Sequence, residues 1–161
     1  MYFGKKATYR FDSPARAYGV LYAGEDEHCA LIETVFSVTR RYRLLSRKWL
    51  SGRSISRISS ARKLRLVDIT GEGLISLGAD ARLFSGDHAV ARMWSQAFHD
   101  HAEQPDGIRF RSRLDPSRFN VAVFERVRSM LLEAPAIRLD GPAGLAIVAK
   151  ILKTYGTGLA P

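Results

Sequence analysis

Tyr9-Arg10-Phe11-Asp12-Ser13-Pro14, then Gly19-Val20-Leu21-Tyr22-Ala23-Gly24, then Ala30-Leu31-Ile32-Glu33-Thr34 are the stretches on which the reading of this chain turns. They set an arginine, a tyrosine and a carboxylate on three successive segments that must pack together. Residues 18–23 read as a strand ending at Gly24. A helix over 25–38 starts in the acidic run Glu25-Asp26-Glu27, where negative charge complements the positive end of the helix. Cys29, Ile32, Val35 and Phe36 recur at helical spacing, so one face is apolar. Glu33 stands at the rim of that stripe, where a carboxylate either caps a neighbouring group or faces a cavity.

Outward from these stretches, the pattern alternates strands and helices. Ile55–Ser60 and Leu64–Ile69 alternate apolar with polar residues and are strand candidates, the second with Leu64, Leu66 and Ile69 inward. Residues 39–54 are basic and ambiguous, helix then loop, with Leu44, Leu45 and Trp49 turned inward. Leu74–Leu77 suits one helical turn. Asp87 is a plausible N-cap for a long helix whose Val90, Met93, Trp94, Ala97, Phe98 and His101 follow at steps of three and four. Pro105-Asp106-Gly107 stops it. Ile108–Ser112 and Asn120–Glu125 read as strands, the latter apolar at Val121, Val123 and Phe124; residues 136–140 suit one more short strand. Pro142 opens a last helix through Leu145, Val148, Ile151 and Leu152 to Gly156. Strand pairs with helices between them predict an α+β fold rather than regular βαβ winding.

Bulk composition narrows the class. A length of 161 residues suits a single compact domain spanning 1–161, and 46% hydrophobic with 25% charged residues argues against disorder. No apolar run approaches a membrane span, and the start lacks the layout of a signal peptide. The one cysteine, Cys29, excludes an intramolecular disulfide and reads as a small buried hydrophobe, which with the rest predicts the cytoplasm. The net charge of +9 favours polyanions and acidic partners. Arg40, Arg41, Arg43, Arg47, Lys48, Arg53, Arg57, Arg62, Lys63 and Arg65 crowd one segment, with Tyr42 and Trp49 interleaved. A solvated face is the ordinary reading of such a run, and no zinc spacing, helix-turn-helix or RNP-like motif supports specific nucleic-acid binding. His99 and His101 lie two apart and share no helix face, so a metal pair is not expected. There is no phosphate loop followed by lysine and no GxSxG elbow.

Four pieces in order carry a resemblance: Arg10-Phe11-Asp12-x-Pro14 with Gly19–Gly24 and Ala30-x-x-Glu33-Thr34; Leu66–Gly71 followed by Gly86-Asp87; Gly107–Arg113; and Val121–Arg126. Over residues 9 to 126 the chain resembles the RES domain, the toxin of a RES/Xre-type bacterial toxin–antitoxin family. The resemblance implies a mixed, mostly antiparallel sheet with flanking helices, like that of ADP-ribosyltransferases. It also implies an enzyme that consumes NAD as substrate, parting nicotinamide from ribose with inorganic phosphate as co-substrate, a pentosyltransferase needing no further cofactor. A cognate helix-turn-helix antitoxin is the implied partner, and a homodimer is left open.

The chemistry of that reaction selects candidate residues. Breaking the N-glycosidic bond passes through an oxocarbenium-like ribose, so a carboxylate near the sugar must hold hydroxyls and oppose positive charge; Glu33 is the candidate. Arg10 supplies the guanidinium fork for phosphate oxygens, with Arg16 and Arg113 in reserve. Tyr22 would stack on nicotinamide or bond a ribose or phosphate oxygen, and Ser112 would hold the nicotinamide amide or the ribose. Arg10, Tyr22 and Ser112 are thus also the substrate-binding candidates. Taken singly, each has an ordinary reading: a surface cation, an edge-strand aromatic, a solvent-facing helix carboxylate, a plain strand serine. The family carries a further stretch before Tyr-Phe-Gly, with an arginine beside an aromatic. Here the chain starts at Met1-Tyr2-Phe3-Gly4, so an upstream start, a substitute arginine or impaired activity is expected. Three other readings stand beside NAD phosphorolysis: ADP-ribosyl transfer, NAD hydrolysis, and a non-catalytic basic module binding nucleic acid or an acidic protein.

Overall fold

The chain is described here from a computed structural model, which covers residues 1–36 and 44–161, the side chains of Phe36 and Phe84 excepted. Among the described residues the short strands are β1 Val20–Gly24, β2 Leu44–Ser46, β3 Ser54–Ile55, β4 Ile58–Ser60, β5 Leu66–Asp68, β6 Gly107–Arg111, β7 Phe119–Phe124, β8 Leu131–Glu133, β9 Ile137–Arg138 and β10 Gly158–Ala160. The α-helices are α1 Glu27–Leu31, α2 Gly71–Ser76, α3 Arg82–Ser85, α4 His88–Asp100 and α5 Pro142–Thr154. A π-helical turn, Ile32–Phe36, continues α1. The class is α+β. The main sheet runs β1-β7-β6-β5, antiparallel except for the parallel β5–β6 pair. The described residues also form three two-strand pairs, β10–β2, β3–β9 and β4–β8. No helix among the described residues is long and apolar enough to cross a membrane.

The strand period of two divides the main sheet into two apolar faces. Val20 and Tyr22 of β1, Ile108 and Phe110 of β6, and Ala122 and Phe124 of β7 join a core with Phe11, Ile69, Leu74 and the α4 residues Ala91 and Phe98. Leu21, Val121 and Val123 face the other way, onto Phe3, Val127 and Leu131. Both faces are covered, so the expectation of a single inward set at Val121, Val123 and Phe124 gives way to an alternation. A third cluster joins Leu31, Ile32 and Val35 to Leu45, Leu50 and the α5 residues Val148, Ile151 and Leu152.

Several expected elements differ in detail. Ile55–Ser60 is two strands with different partners, β3 on β9 and β4 on β8. The partner segment carries Pro135 between β8 and β9, and a proline has no N–H to continue a ladder. On α4 the buried positions are Ala91, Ser95 and Phe98, while Val90 and Met93 are 46% and 61% exposed. The helix is rotated from its apolar stripe because Ser95 has polar work inside: its hydroxyl donates to the Phe11 carbonyl (2.6 Å) and meets the Tyr18 hydroxyl (3.0 Å). In the basic stretch, residues 44–46 form a strand and Arg47–Trp49 a 3-10 turn. Leu45 is buried and Trp49 half-buried, but Leu44 is exposed, since it alternates with Leu45 along β2. The end of the expected 25–38 helix and the basic residues Arg40, Arg41 and Arg43 lie outside the described residues.

Candidate active site

The site is assembled where one face of the main sheet meets α1. Tyr22, Ser112 and Asn120 share that face, because Tyr22 pairs with Ala122, Gly24 with Asn120, and Asn120 with Phe110, two residues before Ser112. Gly24 then lets β1 turn into α1 at close quarters, since a Cβ there would come 2.5 Å from the Ala30 nitrogen. Asp26 caps α1, its carboxylate accepting from the Cys29 N–H at 2.7 Å. Glu33 follows Cys29 by one helical turn, which puts both on one side of the helix. That side meets the sheet at Asn120.

Glu33 is half-buried, and three donors converge on its Oε1. The Ser112 hydroxyl donates at 2.6 Å, the Arg113 backbone N–H at 3.2 Å and the Asn120 amide at 3.3 Å. Oε2 takes no hydrogen bond among the described residues. The Ser112 oxygen also accepts from the Leu114 and Asp115 N–H groups, at 3.2 and 3.0 Å. Ser112 is 1% exposed. Its proton and its acceptor positions are therefore committed to the protein, and its contact is with the carboxylate.

Tyr22 is similarly committed. Its hydroxyl donates to Asp12 Oδ1 at 3.0 Å and accepts from the Phe11 N–H at 2.9 Å. Asp12, 1% exposed, takes the Thr8 and Tyr9 N–H groups on its other oxygen. Burial, then the Asp12 charge, pushes the Tyr22 phenol well above its usual range, so the hydroxyl stays protonated. What Tyr22 can offer a ligand is its ring, already edged by the exposed Tyr9 at 5.5 Å between centroids.

Arg10 is half-buried and donates from Nη1 to the Gly86 carbonyl at 2.7 Å. Burial and then the nearby Arg113 guanidinium lower its pKa, against smaller opposing effects of Tyr22 and Asp87. Two guanidiniums close enough to repel each other, neither in an ion pair among the described residues, make an anion-seeking position. Arg113 links it to Glu33 through its own backbone N–H. Arg16 is exposed on the bend after Ser13-Pro14, at φ 59°, with no role in this cluster's hydrogen bonding.

The structure thus brings Arg10, Tyr22, Glu33 and Ser112 to one region, with Arg113. It adds Asp12 and Asn120, which the sequence reading missed. Asn120 carried a faint signal, a polar residue heading the apolar run Val121–Phe124 on the parity of Tyr22's partner. Asp12 carried none beyond its place in the arginine motif. Two cavities, of about 200 Å³ beside Arg47, Leu50, Asp140 and Leu145 and about 390 Å³ beside Lys48 and Trp49, lie on the α5 side and include none of these residues. Hydrogen bonding, not cavity volume, marks the site. Among the described residues no group of three or more His, Cys, Asp or Glu side chains is placed to hold a metal ion.

Part of the basic segment is tied into the fold. Arg62 grips the buried Asp106 with two nitrogens, at 2.7 and 2.9 Å, Arg53 donates to the Trp49 carbonyl, and Arg65 reaches Gln104 and Glu103. Arg47, Lys48, Arg57 and Lys63 are exposed. Neither curated proteins nor solved structures give a match to this chain. Residues 1–143, most of its length, match the family model described as RES domain, and the chain belongs to that family.

Proposed function

We propose that the protein is the toxin of a toxin–antitoxin system and degrades NAD by phosphorolysis of the nicotinamide–ribose bond. Membership of the RES family is consistent with an NAD-acting module of that kind. The observation that carries the reading is Glu33, with one carboxylate oxygen fixed by three donors and the other taking no hydrogen bond among the described residues, next to the Arg10–Arg113 pair.

In this reading a phosphate oxygen bonds to ribose C1′ as the bond from C1′ to the nicotinamide nitrogen breaks. The electron pair of that bond returns to the ring, which is cationic in NAD and leaves neutral. No proton need be given to the leaving group, so a site without a poised general acid suffices. The demand falls on the ribose, whose positive character grows in the transition state. Glu33 Oε2 would accept from ribose hydroxyls and oppose that charge, stabilisation of the kind that often dominates enzymatic rate enhancement. Arg10 and Arg113 would hold pyrophosphate or the attacking phosphate, the guanidinium fork matching two oxygens at once. The Tyr22 ring would lie against nicotinamide. Ser112, with its proton on Glu33, positions the carboxylate rather than touching the amide of the substrate.

The test is purified protein with NAD, with and without phosphate, followed by product mass. The expected product is ADP-ribose carrying one added phosphate, formed only when phosphate is present. ADP-ribose alone would assign hydrolysis, a mass gain on a protein would assign ADP-ribosyl transfer, and unchanged NAD would reject the enzyme.

A further inference from the structure

We propose that Asn120 is a positioning residue for Glu33, held in one amide orientation by the thiol of Cys29, so that the two help fix the angle at which the carboxylate faces substrate. The inference rests on the NAD-cleaving reading above and adds to it a layer of residues behind the site.

Asn120 is 7% exposed and Cys29 fully buried. A carboxamide in such surroundings is costly unless its polar atoms are paired. Here both ends are: Cys29 Sγ donates to Asn120 Oδ1 at 3.1 Å, and Asn120 Nδ2 donates to Glu33 Oε1 at 3.3 Å. The two ends of a carboxamide have nearly the same shape, so partners alone fix which way it points. A thiol that keeps its proton must meet the oxygen end. Burial does keep it, pushing the Cys29 thiol up to about 12, with the Glu33 charge acting the same way. The NH₂ end is thereby turned toward Glu33. The reverse orientation would set an amide oxygen against a carboxylate and leave the thiol proton without an acceptor.

The consequence for Glu33 follows from its own softness. The terminal torsion of a glutamate is broad, so donors rather than sterics set the angle at which the carboxylate is presented. Ser112 and the Arg113 N–H approach from the β6 end, and Asn120 approaches from β7. With all three on Oε1, Oε2 is the oxygen left for ribose. Asn120 contacts the carboxylate and the thiol, so its effect on chemistry passes through Glu33.

The experiment compares wild type with Asn120→Ala, Asn120→Asp, Cys29→Ala and Cys29→Ser, reading kcat and KM for NAD across pH. Asn120→Ala is expected to lower kcat about tenfold or more with KM little changed, the scale of loss from a slightly misplaced group. Cys29→Ser, which keeps a donor, should stay near wild type, while Cys29→Ala follows Asn120→Ala in direction. Asn120→Asp is the sharpest arm. Two carboxylates at that spacing hold one proton between them, and the protonated aspartic acid can still donate to Glu33. Its activity optimum should therefore move to lower pH. A kcat within about twofold of wild type in Asn120→Ala, or an unmoved pH profile in Asn120→Asp, overturns the proposal. Wild-type turnover is read in the same series, so a protein that does not consume NAD sinks the reaction itself. The positioning claim is then judged on the Asn120 side-chain amide protons by NMR. Slow exchange in wild type and Cys29→Ser with fast exchange in Cys29→Ala supports it; equal exchange in all three overturns it.

Discussion

At the scale of single residues, hydrogen-bond direction separates groups that hold the site from groups open to a ligand. Ser112 and the Tyr22 hydroxyl spend their donors and acceptors on protein partners, whereas among the described residues Glu33 keeps one oxygen free and Arg10 keeps most of its fork. Glu33→Gln is expected to remove NAD turnover by about a hundredfold or more while the fold survives, because a neutral amide cannot oppose developing charge. Circular dichroism and NAD loss check it, and full activity in a folded Glu33→Gln protein would take this carboxylate out of the mechanism. Arg10→Lys is expected to be nearly as damaging to kcat/KM as Arg10→Ala, since a point charge on a flexible stem does not reproduce a planar fork. Rescue by lysine to near wild type would mean that charge alone is needed there. The arginine, tyrosine and carboxylate were legible as candidates because their motif spacing survives in linear sequence. The division of labour among them was not, since it depends on which atoms point at which.

At the scale of elements, the strand that opens the second half of the sheet is pinned by a carboxylate. Asp106, 2% exposed, accepts both Arg62 nitrogens and the Arg65 N–H, and its own N–H bonds the Arg65 carbonyl, fixing β5 beside β6. The Arg62 hydrogen bonds hold its carboxyl below the ordinary range. Asp106→Asn is expected to cost roughly 2 kcal/mol, the loss of charge-assisted hydrogen bonds, visible as a lower urea midpoint at unchanged slope. Because the folded pKa lies below the unfolded one, the stabilisation is complete above an unfolded value of about 3.9 and fades as pH falls through the folded value. The gap between wild type and Asp106→Asn should thus be flat near neutrality and close below about pH 4; a gap that widened on acidification would contradict this origin. Strands and long helices were readable in advance because period and caps are local properties. The phase of α4 was not, because a buried serine answering Phe11 and Tyr18 looks like a solvent position in any hydrophobic pattern. Nor was the split between β3 and β4, which follows from a proline some eighty residues away in sequence. The π turn under Glu33 likewise has no sequence signature of its own.

At the scale of the whole molecule, the charge of +9 is the dominant long-range property. Arg53, Arg62 and Arg65 are tethered to the fold, so the exposed remainder offers general attraction to acidic surfaces more than a shaped nucleic-acid groove. Any DNA binding is expected to be weak and to fall steeply between about 50 and 200 mM salt. A gel-shift series checks it, and submicromolar binding that persists near physiological salt in a protein without NAD turnover would favour the basic-module reading. The sheet that carries the site also restricts how such a chain can drift over evolutionary time. Tyr22, Ser112 and Asn120 share one face because their strands keep even parity with the core residues Val20, Ile108, Ala122 and Phe124. A single inserted or deleted residue between Asn120 and Phe124 would trade core for site on one strand, and no side-chain replacement could repair both. Descendants should therefore change β6 and β7 by substitution alone, and keep the length of the 113–115 turn start as well, since its N–H groups hold Glu33 and Ser112.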